Sequence, residues 1–240
     1  MNYFAHALPF LDDPYFAAGT AVPDWLSVVD RRLRVREKHV EAFLHDGDTR
    51  VAAIAGGIGQ HIRDDRRFHQ SRAFAEVSLQ LTVLARDALA GEASFRPSFL
   101  GHLLLEVLLD ASLVAEKSDC LRAYYLLLES VDAAEVATVV GRMTSRSAAK
   151  LVPLISRFRR ERILWDYLED AKLLGRLNQV MRRVKLEPLP EAFRDVLSEA
   201  RRLVSGRRAD LLDRIPVERK TAVEPKPPSA AKTQSITKTQ

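Results

Sequence analysis

"RPSFLGHLLLEVLLDASL", residues 96–113, is written almost wholly in aliphatic side chains and decides what kind of fold this chain can have. An α-helix turns about 100° per residue, so residues four apart stack on one face with a drift of about 40°. Ser98, His102, Glu106 and Asp110 therefore share one polar ridge, and leucine, valine and phenylalanine cover the rest of the circumference. A helix with so wide an apolar surface belongs in an interior. Its ridge is then either the one solvent-facing stripe or a lining of paired groups, because an unpaired buried carboxylate is costly. Periodicity alone does not choose between them.

The same three-and-four spacing runs outward from this helix. It recurs in "FAEVSLQLTVLARDAL", "CLRAYYLLLESV", "AAEVATVVGRM", "ILWDYLEDAKLLGRLNQVMRRV" and "EAFRDVLSEARRLV", and no convincing run alternates with period two. Breaks are expected at Pro9, Pro14, "DGD" 46–48, "GGIG" 56–59, Gly91, Pro97, Ser118 with Asp119, and Pro188 with Pro190. The pattern predicts an all-α protein, a single globular multi-helix bundle of roughly eight to ten helices. Residues 1–215 are expected to form one domain. Residues 216–240 are poor in large apolar groups and rich in Pro, Lys, Ser and Thr, and are expected to be a disordered basic tail.

The 240 residues, 47% hydrophobic, suffice for one good core. The formal charge is +5, but 216–240 holds five Lys/Arg against two Asp/Glu, so the remaining 215 residues carry only +2. A near-neutral body makes a weak case for nucleic-acid binding, which needs cations gathered on one face. Cys120 stands alone, which excludes a disulfide framework and a cysteine-based zinc site and suits a reducing compartment. "MNYFAHALPFLDD" lacks a basic n-region and no stretch offers 18 uninterrupted apolar residues, so neither a secretory signal nor a membrane span is expected; the expected location is cytoplasmic.

A second ridge lies in "GGIGQHIRDDRRFHQS", where His61, Asp65 and His69 also stand four apart. Imidazole and carboxylate groups projecting from facing helices are how bundles build metal sites. The plainer reading is a solvated helix with four-apart pairing, since Arg63, Asp64, Arg66, Arg67 and Gln70 surround the ridge. Nucleophile-elbow, H-E-x-x-H and P-loop motifs are absent, and His45 with Asp46 runs into a turn. The arginines of "DRRLRVREK" and "RFRRER" read as solvated helix faces, either of which suits an acidic partner.

Taken in order, "MNYFAHA", "GTAVPDWL", "GIGQH" with Asp65 four residues on, and a histidine within a leucine-rich helix form a series. The series resembles the acyl carrier protein phosphodiesterase family, all-α metal-dependent hydrolases similar to the HD-domain enzymes. The likeness covers roughly residues 1 to 185. Family members typically read M-N-[FY]-L-A-H, then G-N-L-L-A-D-F, then G-I-x-x-H-R-x-I-D, with a further histidine downstream. The matching residues are His6, Gly19 with Asp24, His61 with Asp65, and His102. The chain departs from the pattern at Pro23, at "HIRDD", at His69 where a carboxylate is usual, and at Glu106 and Asp110.

What the resemblance implies is an HD-like bundle that hydrolyses a phosphodiester, releasing 4′-phosphopantetheine from holo acyl carrier protein. Asp24, His61, Asp65 and His102 would hold a hard divalent ion, Mn²⁺ first, with Mg²⁺ or Fe²⁺ as alternatives. His6, Glu106 and His69 would supply proton transfer or further ligation. Asp110 is expected to orient a ligand or cap a neighbouring helix. Arg31, Arg32, Arg34 and Arg36 would dock the acidic carrier protein. The competing expectation is a catalytically inactive, protein-binding domain of the same fold.

Overall fold

The computed structural model describes residues 1–90 and 93–213; the expected tail 216–240 and the expected break at Gly91 lie outside the described residues. The described residues form twelve α-helices and five 3₁₀ turns, without a strand. In chain order the helices are α1 (Tyr3–Ala7), α2 (Pro14–Val29), α3 (Glu37–Val40), α4 (Thr49–Gln70), α5 (Arg72–Ala88), α6 (Pro97–Glu116), α7 (Ser118–Glu129), α8 (Ala133–Thr144), α9 (Leu151–Glu161), α10 (Asp170–Arg183), α11 (Arg194–Gly206) and α12 (Arg208–Leu212). The all-α bundle read from the periodicity is the observed architecture. One continuous hydrophobic cluster runs from Met1 to Leu211.

Most breaks fall where turn chemistry put them. Asp48 caps α4 by accepting the backbone N–H of Arg50 at 2.9 Å, and Pro14 and Pro97 occupy first-turn positions of α2 and α6. "GGIG" does not break the chain; it lies inside α4, and its glycines serve helix contact instead. A Cβ on Gly57 would stand 2.1 Å from the Phe16 carbonyl oxygen of α2, and one on Gly19 would stand 2.5 Å from the Ile54 oxygen of α4. Backbones this close leave no room for any side chain between α2 and α4. Gly101 plays the same part between α6 and α5, where a Cβ would meet Thr82 Oγ1 at 2.2 Å. "ILWDYLEDAKLLGRLNQVMRRV" divides at Glu169 into a 3₁₀ segment, Ile163–Leu168, and α10. Arg31–Arg36 form an irregular link between α2 and α3 rather than a helix face, a consequence of α2 ending at Asp30.

Two tight pairs, α2 with α4 and α5 with α6, thus make the frame, and α1 wedges between α2, α4 and α6. What seats this five-residue helix is Asp110. Its two carboxylate oxygens accept the backbone N–H groups of Phe4 at 2.9 Å and Ala5 at 2.8 Å, satisfying donors that a helix start leaves free. Asp110 is wholly buried and caps a neighbouring helix, the second of the two roles expected of it. On length and composition α6 could cross a bilayer; 67% of its most apolar window is buried inside the bundle.

Candidate metal centre

The junction of α1, α4 and α6 gathers two groups of three donors. The inner group is His6, His61 and Asp65; the outer is His69, His102 and Glu106. In the inner group His6 Nε2 lies 3.3 Å from Asp65 Oδ1 and His61 Nε2 lies 3.6 Å from Asp65 Oδ2. The two imidazoles stack with centroids 4.0 Å apart. His61 Nδ1 is 2.7 Å from the Thr20 carbonyl oxygen, to which it must donate, and this leaves the Nε2 lone pair free for a ligand. The glycine contact between α2 and α4 makes that bond possible, since Thr20 adjoins Gly19. His6 is fully buried between two carboxylates, with Nδ1 3.6 Å from Asp64 Oδ2, yet neither ring nitrogen has a hydrogen-bond partner.

The outer group is tighter and wetter. His102 Nε2 is 3.0 Å from Glu106 Oε1, His69 Nε2 is 3.2 Å from the same oxygen, and the two Nε2 atoms are 3.3 Å apart. Such separations are what three donors show when each stands about 2.1 Å from one ion at roughly right angles. Phe74 presents its edge geometry to both rings, at centroid distances of 4.8 Å to His69 and 5.1 Å to His102. The Met1 amino group links the groups, donating to Asp65 Oδ1 at 2.8 Å and Glu106 Oε1 at 3.2 Å.

The charges are arranged for a cation. Burial opposes ionisation of Asp65, but the His6 and His61 imidazoles beside it and the nearby amino group hold its carboxyl far below the usual range. Glu106 is likewise held low against burial by the amino group, His102 and His69. Asp24 behaves oppositely: burial, with Glu106 and Asp65 as negative neighbours, pushes its carboxyl up to about 7 despite His61. Its Oδ2 has no hydrogen-bond partner.

The structure thus brings His61 and Asp65 of the expected ligand set together with His6, and brings His102 together with His69 and Glu106. The fourth expected ligand, Asp24, belongs to neither group of three and lines the two cavities alongside. One is a groove of about 950 Å³ that exposes His61, Asp65, His102 and Glu106 and carries Arg31, Arg34 and Arg183 on its wall. The other, about 270 Å³, is walled by Trp25, Leu103, Phe158 and Ile163. Sequence reasoning passed over Asp64, whose Oδ1 accepts the Gln60 amide at 2.7 Å, because it took "RDDRR" for a solvated face. Its doubling in "DD" was the available signal.

The donor set fits a hard or borderline divalent ion. Imidazole and carboxylate are the ligands such ions take, and the unpartnered His6 nitrogens and Asp24 Oδ2 are buried polar atoms that a cation would satisfy. No family model, curated protein or solved structure matches the chain.

Proposed function

We propose that this protein is a divalent-metal-dependent phosphodiesterase. The observation that carries the reading is the pair of His/His/carboxylate groups opening on a groove whose wall bears arginines. His6, His61 and Asp65 would hold one ion and His69, His102 and Glu106 a second, with Mn²⁺ the first candidate and Mg²⁺ or Fe²⁺ the alternatives. A bound ion supplies charge that polarises a phosphoryl oxygen and acidifies water.

The chain's own groups do the rest. By accepting from His61 Nδ1, the Thr20 carbonyl orients the ring so that Nε2 faces Asp65 and is the nitrogen presented to a ligand. Arg31, Arg34 and Arg183 offer guanidinium donors to the non-bridging oxygens of a phosphodiester in the groove. Asp24, with its carboxyl near 7, is poised to give a proton to a departing alkoxide at neutral pH. The carrier-protein substrate suggested by the motifs is the first specific case to assay. Asp24 standing outside both groups favours the second reading, a binding protein that kept the fold without turnover.

Metal analysis of full-length protein purified without chelator, paired with hydrolysis of bis(p-nitrophenyl) phosphate and of holo carrier protein, separates the two. The expected result is about one or two equivalents of divalent metal and turnover that a chelator abolishes. Retained metal without turnover selects the binding protein. Absence of both overturns the metal centre itself.

A further inference from the structure

Beside the metal groove lies a pocket of about 430 Å³ lined by Arg31, Arg32, Arg34, Arg36, Arg146 and His39, with Thr144 at its wall. Among the described residues none of these five guanidinium groups forms an ion pair with a carboxylate, whereas Arg66 of α4 and Arg142 of α8 both do. Backbone oxygens hold two of them instead: Arg146 Nη1 donates to the Arg32 carbonyl at 3.0 Å and Arg31 Nη2 to the Arg183 carbonyl at 3.2 Å. His39 Nδ1 accepts the Arg36 backbone N–H at 3.3 Å, which puts the ring proton on Nε2 and makes that nitrogen a further donor. Five uncompensated positive charges around one concavity repel each other, and an anion bound between them removes that repulsion.

We propose that this pocket is a phosphate-binding subsite for a compact organophosphate. Planar guanidinium forks match phosphate oxygens two at a time, and a concave setting lets several converge on one group. Arg31, Arg32, Arg34, Arg36 and Arg146 are all exposed, so the pocket admits a small phosphate directly from solvent. Arg31 and Arg34 line both this pocket and the metal groove, so the two cavities share a wall. Resting on the phosphodiesterase reading, the substrate class becomes a small molecule with two phosphates: a diester reaching the metal groups and a terminal monoester held by Arg36, Arg146 and His39.

The test titrates full-length, chelator-treated protein with inorganic phosphate and with pyrophosphate by calorimetry. Parallel titrations use Arg36→Gln/Arg146→Gln and, as a control on the metal groove, His102→Ala. Binding in wild type that weakens at least tenfold in the arginine variant and persists in His102→Ala supports the subsite even if no metal chemistry is ever found. Equal binding by wild type and the arginine variant overturns it. So does displacement of no phosphate by a bisphosphorylated nucleoside while a polyglutamate peptide or acidic carrier protein binds in an Arg36- and Arg146-dependent manner, which assigns the surface to a protein partner. If turnover is present, the arginine variant should raise KM at least tenfold for a substrate carrying the second phosphate and leave that for bis(p-nitrophenyl) phosphate unchanged.

Discussion

The inner and outer groups of three use the same chemistry in opposite settings. His6 and His61 are buried in the core and stacked on one another, with His61 anchored to the Thr20 carbonyl of α2. His69 and His102 are 32% and 43% exposed; Phe74 and Glu106 contact both, and Phe68 packs on His69. Donors inside a core are positioned by the fold and contribute to it, whereas donors on a groove wall can be lost with little harm to folding. The inner group should therefore report on stability and the outer on chemistry.

The hardest way to break that division is at Asp110, which touches neither group but seats α1 and with it His6. Asp110→Ala orphans two buried N–H groups, each worth about 1–3 kcal/mol, and should lower unfolding free energy by roughly 3 kcal/mol in urea. A loss under about 1 kcal/mol would mean that packing of Phe4 and Tyr3 seats α1 without the cap. The pH dependence sharpens the point. Burial pushes the Asp110 carboxyl up to about 7 although the Phe4 and Ala5 amides pull it down. Across pH about 4–7 the folded protein then keeps a proton that the unfolded chain releases, so this group makes stability fall as pH rises, by at most about 1.4 kcal/mol per pH unit, and levels off above. In metal-free protein Asp110→Asn should flatten that decline; an unchanged slope would assign it to Asp24, which shares the same raised value.

Next in size are the glycine contacts that position the two groups. Gly57→Ala forces α4 away from α2 and should cost about 2–3 kcal/mol while loosening the bond from His61 to Thr20. Gly101→Ala strains α6 against α5 by a similar amount but displaces His102 instead. On the proposed metal-dependent reading, metal retention measured on both variants compares the two groups. Equal loss from both would indicate one shared site.

The direct comparison pairs His6→Ala with His102→Ala. His102→Ala should cut turnover at least tenfold, about 1.4 kcal/mol of transition-state stabilisation, with melting nearly unchanged. His6→Ala should lower stability by about 1–3 kcal/mol as well, because it empties a fully buried site and leaves Asp64 and Asp65 facing a void. Identical stability for the two variants would remove the distinction between core and wall.

How much of this could be read beforehand follows from what each signal measures. The leucines of α6 declared its burial, and the four-residue steps of His61, Asp65 and His69 and of His102 and Glu106 placed both ridges correctly. Spacing along one helix says nothing of which ridge faces which, so it could not show that His69 falls with His102 rather than with His61; Asp24 entered through the motif resemblance alone. "GGIG" was misread because glycine's small size can end a helix or let two helices touch, and only the partner helix decides. The role of Asp110 was open for the same reason: its partners are backbone amides more than 100 residues away.

The smallest effect tests what orients the outer group. The Phe74 ring stands nearly perpendicular to both imidazoles, 89° to His69 and 79° to His102, and such edge contacts are worth about 0.5–1.5 kcal/mol. Phe74→Leu keeps the apolar volume and removes the ring edge. Stability should fall by no more than about 1 kcal/mol, while the imidazoles gain rotational freedom and metal affinity at the outer group drops by a few-fold. Among the described ring contacts of Phe74 none falls on the inner group, so metal binding proposed there should be unchanged. Weakening of both ions in Phe74→Leu would show that the two groups, despite their different surroundings, act as a single coupled centre through Asp65 and Glu106.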